Sequence, residues 1–477
     1  MPRPHVIYIL SDEHAGQAMG HGGDPNLRTP NMDRMAAEGV SFMRARANCP
    51  VCTPSRGTIF SGRHAHAGPV QGFHDVYKPA APSTATLLRE AGYHTAYFGK
   101  WHCGTVRDQI PPEVRSDPGY YDVEAAPRTP EFHRGGFQDW YGFEMNNAPF
   151  KGFYYRESDV DPTRMAGYQT DALTDMAIAY LKDYEGSRPL FLVLSVEPPH
   201  WPLEAPDASM RFDPASLKTR PNFGRQPDLR ERLAAYYAMI ENLDGNIGRL
   251  LEAVDAMDGF RDNTVTVYFS DHGDFMGSHG QMEDKGHPHE ESVRVPAVFH
   301  APGVLEPQGA RPDLFSLVDM APTTLGLAGV PVPVHMQGAD FSPSLRGADF
   351  DGPGEVLLEM VGAPRVHFDY ADWRGLVTDR WKYAFYETGH EVLFDLWEDP
   401  YETRNLAESH PDVRADADPA RLAEMRSRLL SLLEATREPY FDVIVQHGVR
   451  PDGPALNISR RRRDGIAPSW DDLIRNA

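Results

Sequence analysis

Runs of apolar and β-branched residues recur along the chain between amphipathic stretches. Residues 5–10, 94–99, 189–196, 264–269 and 293–299 are such runs. Because they lack polar alternation, they predict strands buried on both faces. Residues 84–90, 170–183 and 229–258 repeat their apolar positions at spacings of three and four, which predicts helices. Strand and helix in alternation predict an α/β fold, a large, mainly parallel sheet sandwiched by helices. After Pro364 the texture shortens. Segments 374–378, 382–386 and 391–396 alternate between Asp, Gly and Pro, and a helical run follows at 421–435. That pattern predicts a smaller C-terminal antiparallel sheet plus helix. The organisation expected is a catalytic α/β domain over 1–364, a small α+β subdomain over 365–440 and an extended tail over 441–477.

Length and composition narrow the classes. A chain of 477 residues has material for about three domains, or for one or two of the larger α/β kind. Hydrophobic residues at 41% and charged residues at 24% exclude general disorder, collagen-like repetition and a disulfide-stapled miniature. The net charge of −22 repels phosphate backbones and anionic lipid, so neither a nucleic-acid nor a membrane partner is expected. An anionic ligand would need a locally positive pocket. The first apolar run is too short for a signal sequence, no stretch reaches roughly 18 uninterrupted apolar residues, and there are 3 cysteines. A cytoplasmic location is the expectation.

Four predicted strands end in polar, reactive residues: Ser11-Asp12-Glu13, Lys100-Trp101-His102, Glu197 through His200, and Ser270-Asp271-His272-Gly273. Ligands of open α/β sheets bind beyond the carboxyl ends of strands, so these ends are expected to converge on one site. The segment Cys49-Pro50-Val51-Cys52-Thr53-Pro54-Ser55-Arg56 admits three readings. Cys49 and Cys52 have redox-pair spacing, although no compact thioredoxin-like context surrounds them. They could also bind zinc with His102 or Cys103, although no second cysteine pair completes four ligands. The third reading is C-T-P-S-R itself.

Cys52-Thr53-Pro54-Ser55-Arg56 followed by Ser61-Gly62-Arg63 resembles the signature of the formylglycine sulfatases of the alkaline phosphatase superfamily. Asp12 ends the first strand, Thr29-Pro30-Asn31-Met32-Asp33 resembles the family's T-P-N-L-D, and Gly99-Lys100-Trp101-His102 its G-K-W-H. Ser270 to Asp274, Lys285-Gly286 and Glu291 to Pro296 follow in the family's order, and Leu396 to Ala407 resembles its late D-L-x-x-D-P segment. The similarity runs to about residue 410. Asp12-Glu13 and Asp271-His272 depart from the Asp-Asp and Asp-Asn pairs of many sulfatases; Asp-His resembles choline sulfatases and phosphonate monoester hydrolases.

The resemblance implies a sulfuric ester hydrolase. Cys52 would be oxidised to formylglycine by a formylglycine-generating maturation enzyme. One hydroxyl of the aldehyde hydrate would attack sulfur, and the other would then expel sulfate. Thr53-Pro54 reads as an N-cap followed by Pro at the first helical position, placing Cys52 at a helix N-terminus that favours an anion. Asp12, Asp271, His272 and the modified Cys52 would hold one divalent metal, Ca²⁺ or Mn²⁺, with Glu13 left open as a further ligand. Arg56, Lys100 and Lys285 would hold formylglycine and sulfate oxygens, His102 would assist hydrate collapse, and His200 would sit near the leaving oxygen. The loop 286–289 is expected to be solvent-exposed, with His289 lining the substrate pocket beside Lys100, His200 and Lys285. The substrate expected is a small anionic sulfate ester, and Phe150, Phe153, Tyr154 and Tyr155 hint at an apolar or aryl alcohol. A phosphodiesterase or phosphonate monoester hydrolase with the same site is the alternative. A homo-oligomer is expected, joined through the tail with its Arg460–Arg463 run.

Overall fold

The computed structural model describes residues 2–104, 127–185, 187–280, 285–362, 371–407 and 418–436, together with Tyr440 and Ile444. Ten strands form the large sheet: β1 (His5–Ser11), β2 (Val40–Phe42), β3 (His94–Lys100), β4 (Asp139–Phe143), β5 (Phe153–Arg156), β6 (Thr163–Arg164), β7 (Leu190–Ser195), β8 (Thr264–Ser270), β9 (Ala297–His300) and β10 (Gly309–Arg311). Their order is β10-β2-β9-β8-β1-β7-β3-β4-β5-β6. The central strands β8, β1, β7, β3 and β4 run parallel, and β9 and β5 run antiparallel to their inner neighbours. Every residue of β1, β7 and β8 is buried, as their unbroken apolar runs require.

Helices α1 (Pro30–Glu38), α2 (Cys52–Ser61), α3 (Thr84–Glu90), α4 (Gln169–Asp183), α5 (Leu229–Asp255), α6 (Glu290–Val293), α7 (Met320–Leu327) and α8 (Ser342–Leu345) accompany this sheet. Side chains alternate across the strands. Tyr8, Leu10 and Phe269 pack on one face with residues of α2, α3 and α7, and Ile7, Ile9 and Tyr268 pack on the other with α1, α4 and α5. Among the described residues no helix is long and apolar enough to cross a membrane.

The smaller sheet is antiparallel: β11 (Glu355–Met360), β12 (Trp373–Thr378), β13 (Trp381–Tyr386) and β14 (Glu391–Asp395). Leu357, Leu376, Tyr383 and Leu393 face helix α9 (Pro419–Thr436), while Leu358, Trp373, Ala384 and Phe394 pack on Cys49, Val51 and Val293. The smaller sheet therefore buttresses the segment that leads into α2.

Two expectations change. The run 293–299 is not one strand: residues 290–293 wind as α6, and β9 begins only at Ala297, after Pro296, which has no N–H to give a ladder. Helix α2 begins at Cys52 with extended Val51 as its N-cap (φ −146°), so Thr53 is no cap and Pro54 lies third in the helix. Proline is still accommodated there, because N–H groups of the first turn have no intrahelical partner.

Candidate active site

Register brings the reactive strand ends to one edge. Leu10 of β1 pairs with Ser195 of β7, Ser11 with Ser270 of β8, and Gly99 of β3 with Ser195. Gly99 has φ +101°, and a Cβ there would lie 1.8 Å from the Ser195 carbonyl oxygen, so only glycine lets β3 and β7 close together at this point. α2 enters over the same edge with its N-terminus inward, and all ten of its residues are buried. Gly62 ends it in the left-handed conformation (φ 63°), its N–H donating to the Thr58 carbonyl.

The innermost layer is Asp12, Cys52, Asp271 and His272, each wholly or almost wholly buried, with one ligand atom of each within 4.8 Å of the others. Cys52 Sγ is 3.1 Å from His272 Nε2 and 3.5 Å from Asp12 Oδ1. His272 Nδ1 is 2.9 Å from the Gly273 carbonyl oxygen, to which it donates, so the Nε2 lone pair turns toward Cys52 and the two carboxylates. Ser55 Oγ donates to the Asp271 carbonyl oxygen at 2.6 Å, tying α2 to the end of β8.

Cations surround this layer. Arg56 donates from Nε to Asp271 at 2.8 Å and from a terminal nitrogen to the Lys100 carbonyl oxygen at 2.7 Å and Ser195 Oγ at 2.9 Å; its second terminal nitrogen lies 3.5 Å from Asp12. Lys100 Nζ is 2.6 Å from Asp12 and 3.9 Å from Glu197. Lys285 pairs with Glu13 and lies 3.2 Å from His200 Nε2 and 3.7 Å from Cys52 Sγ. His200 donates from Nδ1 to the Trp201 carbonyl oxygen at 2.6 Å, and its Nε2 is 3.3 Å from Glu13.

These neighbours set the charge states. Burial would raise Asp12, but Lys100, and after it His200 and Arg56, hold its carboxyl well below the usual range. Burial and then the Asp12 charge push Asp271 up to about 6. The Cys52 thiol is raised well above its ordinary value by burial and then by Asp12, so the unmodified sulfur stays protonated. Burial brings Lys285 down to about 8 and His200 down to about 4. His102 is depressed well below the normal histidine range by burial, then by Lys100 and Arg56. Among the described residues its Nδ1 is buried without a hydrogen-bond partner, and Phe73 packs edge-on at 5.6 Å.

Nine of the expected residues, Asp12, Glu13, Cys52, Arg56, Lys100, His200, Asp271, His272 and Lys285, thus form one connected cluster, with His102 beside it. His289 has its described ring contacts with other residues. The loop 286–289 is largely buried rather than exposed, because α6 folds it back, and the His289 ring packs against His279 at 4.7 Å and against Phe275 and Phe394, both at 5.4 Å. The aromatic hint also dissolves: Phe153 and Tyr155 are core residues of β5, and Phe150 alone of the four is exposed. Cys49 and Cys52 are not paired; Cys49 is a free thiol buried against the smaller sheet near Glu359 and Arg374. Neither Cys49 nor Cys103 joins a group of metal-ligating atoms among the described residues, which removes the basis of the zinc reading.

Glu197 had no role assigned from sequence. It is 3% exposed and accepts from the N–H groups of Asn146 (2.7 Å) and Asn147 (3.0 Å) and from Gln169 Nε2 (2.7 Å), fixing the loop after β4 beside Lys100. The only local signal was an acidic residue close behind a fully buried strand. Residues 105–126 and most of the tail lie outside the described residues.

Most of the chain is similar to proteins of known family. The sulfatase family profile matches residues 4–330, and the profile of the C-terminal part of N-sulphoglucosamine sulphohydrolase matches residues 277–427. The chain is 30% identical over 412 residues to an ulvan-active sulfatase of Formosa agariphila, covering 85% of this chain and 77% of that one. It is 29% identical to an endo-4-O-sulfatase of Bacteroides thetaiotaomicron, covering 84% and 88%. A solved structure concerned with glycosaminoglycan metabolism by Bacteroides thetaiotaomicron superposes with a TM-score of 0.81 at 25% identity, over 94% of this chain and 99% of the other.

Proposed function

The chain belongs to the sulfatase family and hydrolyses sulfate esters, and from that premise we propose that Cys52, converted to formylglycine, supplies the nucleophile beside one divalent cation. One observation carries this reading: the Cys52 sulfur points from the N-terminus of α2 at Asp12, His272 and Lys285, in surroundings that keep the thiol protonated. A neutral thiol is a poor nucleophile, whereas formylglycine in its hydrated form offers one hydroxyl to attack sulfur and a second to expel sulfate. Because Cys52 is 1% exposed, we assign the conversion to a separate formylglycine-generating enzyme acting before the chain folds.

The donor set suits a metal. Two buried carboxylates and an imidazole nitrogen turned inward are hard and borderline ligands of the kind that Ca²⁺ or Mn²⁺ accept. Asp12, Asp271 and His272 would hold the ion, which supplies Lewis-acid stabilisation of negative oxygen. Arg56 and Lys100 already balance Asp12 and Asp271, so the cluster gains positive charge with the cation and is suited to an incoming anion.

The chain's own residues do the rest. Lys100 and Lys285 draw in the sulfate oxygens from a chain that is otherwise strongly acidic. At neutral pH His200 is uncharged and its Nε2 faces Lys285, so the proton for the leaving oxygen comes from Lys285 Nζ, with His200 orienting it. The Nδ1 of His102, unpartnered among the described residues, would take a hydroxyl proton as sulfate departs.

The similarity to sulfatases named for ulvan and for endo-4-O activity supports a sulfated saccharide as substrate in place of an aryl sulfate. Mass spectrometry of the Cys52 peptide, followed by sulfate release from a panel of sulfated saccharides, aryl sulfates, phosphodiesters and phosphonate monoesters, tests the reading. Phosphorus esters cleaved faster than every sulfate ester would overturn the assigned specificity, and an active protein without formylglycine would overturn the nucleophile. Assembly through residues 441–477 remains a proposal, read by light scattering of the full chain and of one ending at residue 447.

A further inference from the structure

Glu13 stands in the left-handed region at φ 66°, a conformation few residues other than glycine adopt without support. Its carboxylate meets Lys285 and His200, so the backbone at this position decides where two site residues find their partner. The turn is pinned N–H by N–H: Glu13 to Asp271 Oδ1 at 3.4 Å, His14 to Ser270 Oγ at 2.9 Å, Ala15 to the Tyr236 hydroxyl at 2.9 Å and Gly16 to the Arg294 carbonyl oxygen at 2.7 Å. Tyr236 alone among these partners makes two contacts with the turn, both on the C-terminal side of the Glu13 Cα. Its hydroxyl accepts from Ala15 N–H and donates to the Glu13 carbonyl oxygen at 2.7 Å.

Tyr236 comes from the buried face of α5, more than two hundred residues away in sequence, and is 1% exposed. Helix α5 also packs on α1 and α4, which fixes the position of the ring. A hydroxyl delivered by a rigid helix to the carbonyl of a strained residue and to the N–H two residues on fixes the peptide that follows that residue, and so selects one backbone conformation out of several. We propose that Tyr236 is a positioning residue of the sulfatase site, holding Glu13 in the left-handed turn that aims its carboxylate at Lys285 and His200. This rests on the sulfatase reading of the site.

A double-mutant cycle tests it. Tyr236→Phe removes the hydroxyl and keeps the ring, and Glu13→Gly removes the carboxylate while allowing the positive φ. Each protein is measured for kcat and KM on the best sulfate ester and, independently of turnover, for affinity toward inorganic sulfate by calorimetry, with folding checked by circular dichroism. In the natural background Tyr236→Phe is expected to lower kcat and weaken sulfate binding, each by about tenfold, the scale of one lost buried hydrogen bond. In the Glu13→Gly background the same change is expected to cost less than about twofold, because the group being positioned is gone. Equal losses in both backgrounds, or no loss from Tyr236→Phe in the natural one, would overturn the proposal. A natural protein inactive on sulfate esters would count against the sulfatase reading, while the sulfate-affinity cycle would still decide the role of Tyr236.

Discussion

Arg56 Nε lies 2.8 Å from Asp271 Oδ2, and both side chains are completely buried. The same guanidinium reaches the Lys100 carbonyl oxygen and Ser195 Oγ, so it joins α2 to the ends of β8, β3 and β7 while balancing a buried carboxylate. A planar fork of fixed donors makes this possible; a single ammonium cannot span the same partners.

Arg56→Lys should therefore be costly despite keeping the charge, and Arg56→Ala more so. Leaving a buried carboxylate uncompensated costs about 3–5 kcal/mol. Urea unfolding of both variants should show that order, with kcat/KM falling by at least about a hundredfold; a near-native Arg56→Lys would mean that the fork geometry is dispensable.

Asp12→Asn and Asp271→Asn should each lose metal and activity together, by elemental analysis and turnover. Asp271 is pushed up from 3.8 to about 6, so in the metal-free protein it carries a proton below that pH and must release it to bind a cation. Metal affinity should fall by up to about tenfold per pH unit below 6 and level off above it. The metal-free protein should behave oppositely in stability: a carboxyl raised in the fold binds protons better folded than unfolded, so this group's contribution declines as pH rises from about 4 to about 6. Calorimetry in buffers of different ionisation enthalpy would count the protons released.

Lys285 supplies a limb at the other end of the pH scale. With its ammonium brought down to about 8, charge is present below that pH and lost above it, so KM for a sulfate ester should rise above about pH 8. Lys285→Arg should move that limb upward, and Lys285→Ala should abolish it, with turnover falling while bound metal stays. A KM flat from pH 7 to 10 in the natural protein would remove Lys285 from anion binding.

The two motif cysteines should separate sharply. Cys52→Ala and Cys52→Ser should lower turnover by several orders of magnitude in a folded protein, as loss of a nucleophile does. Cys49→Ser, in contrast, should keep activity per folded molecule and cost about 1–3 kcal/mol in stability, because it buries a hydroxyl among the apolar residues beneath the smaller sheet. Equal losses of turnover at both positions would revive a paired-thiol role.

Much of this site is legible in the linear chain. Unbroken apolar runs mark β1, β7 and β8, since a strand covered on both faces has no polar alternation to confuse its reading. Several reactive residues end or closely follow strands, as in Lys100-Trp101-His102, and others lie at the short, fixed spacing of Cys52 and Arg56, so a linear pattern carries them. Features that depend on long-range packing are not legible in this way. Thr53 has the residue type of a cap, yet the extended Val51 caps α2 two residues earlier; His289 sits one residue from a proline and four from Lys285, yet its ring packs against Phe275 and Phe394 from distant parts of the chain. Glu197 has only its place behind a strand to mark it, and Tyr236 has no local signature at all. Their partners, the N–H groups of Asn146 and Asn147 and the Glu13 carbonyl with the Ala15 N–H, come from elements that only the sheet order brings beside them. The sequence by itself determined which groups of the chain carry the chemistry. Tertiary structure decided which way each one points, because a side chain's orientation depends on packing and hydrogen bonds with residues far away along the chain.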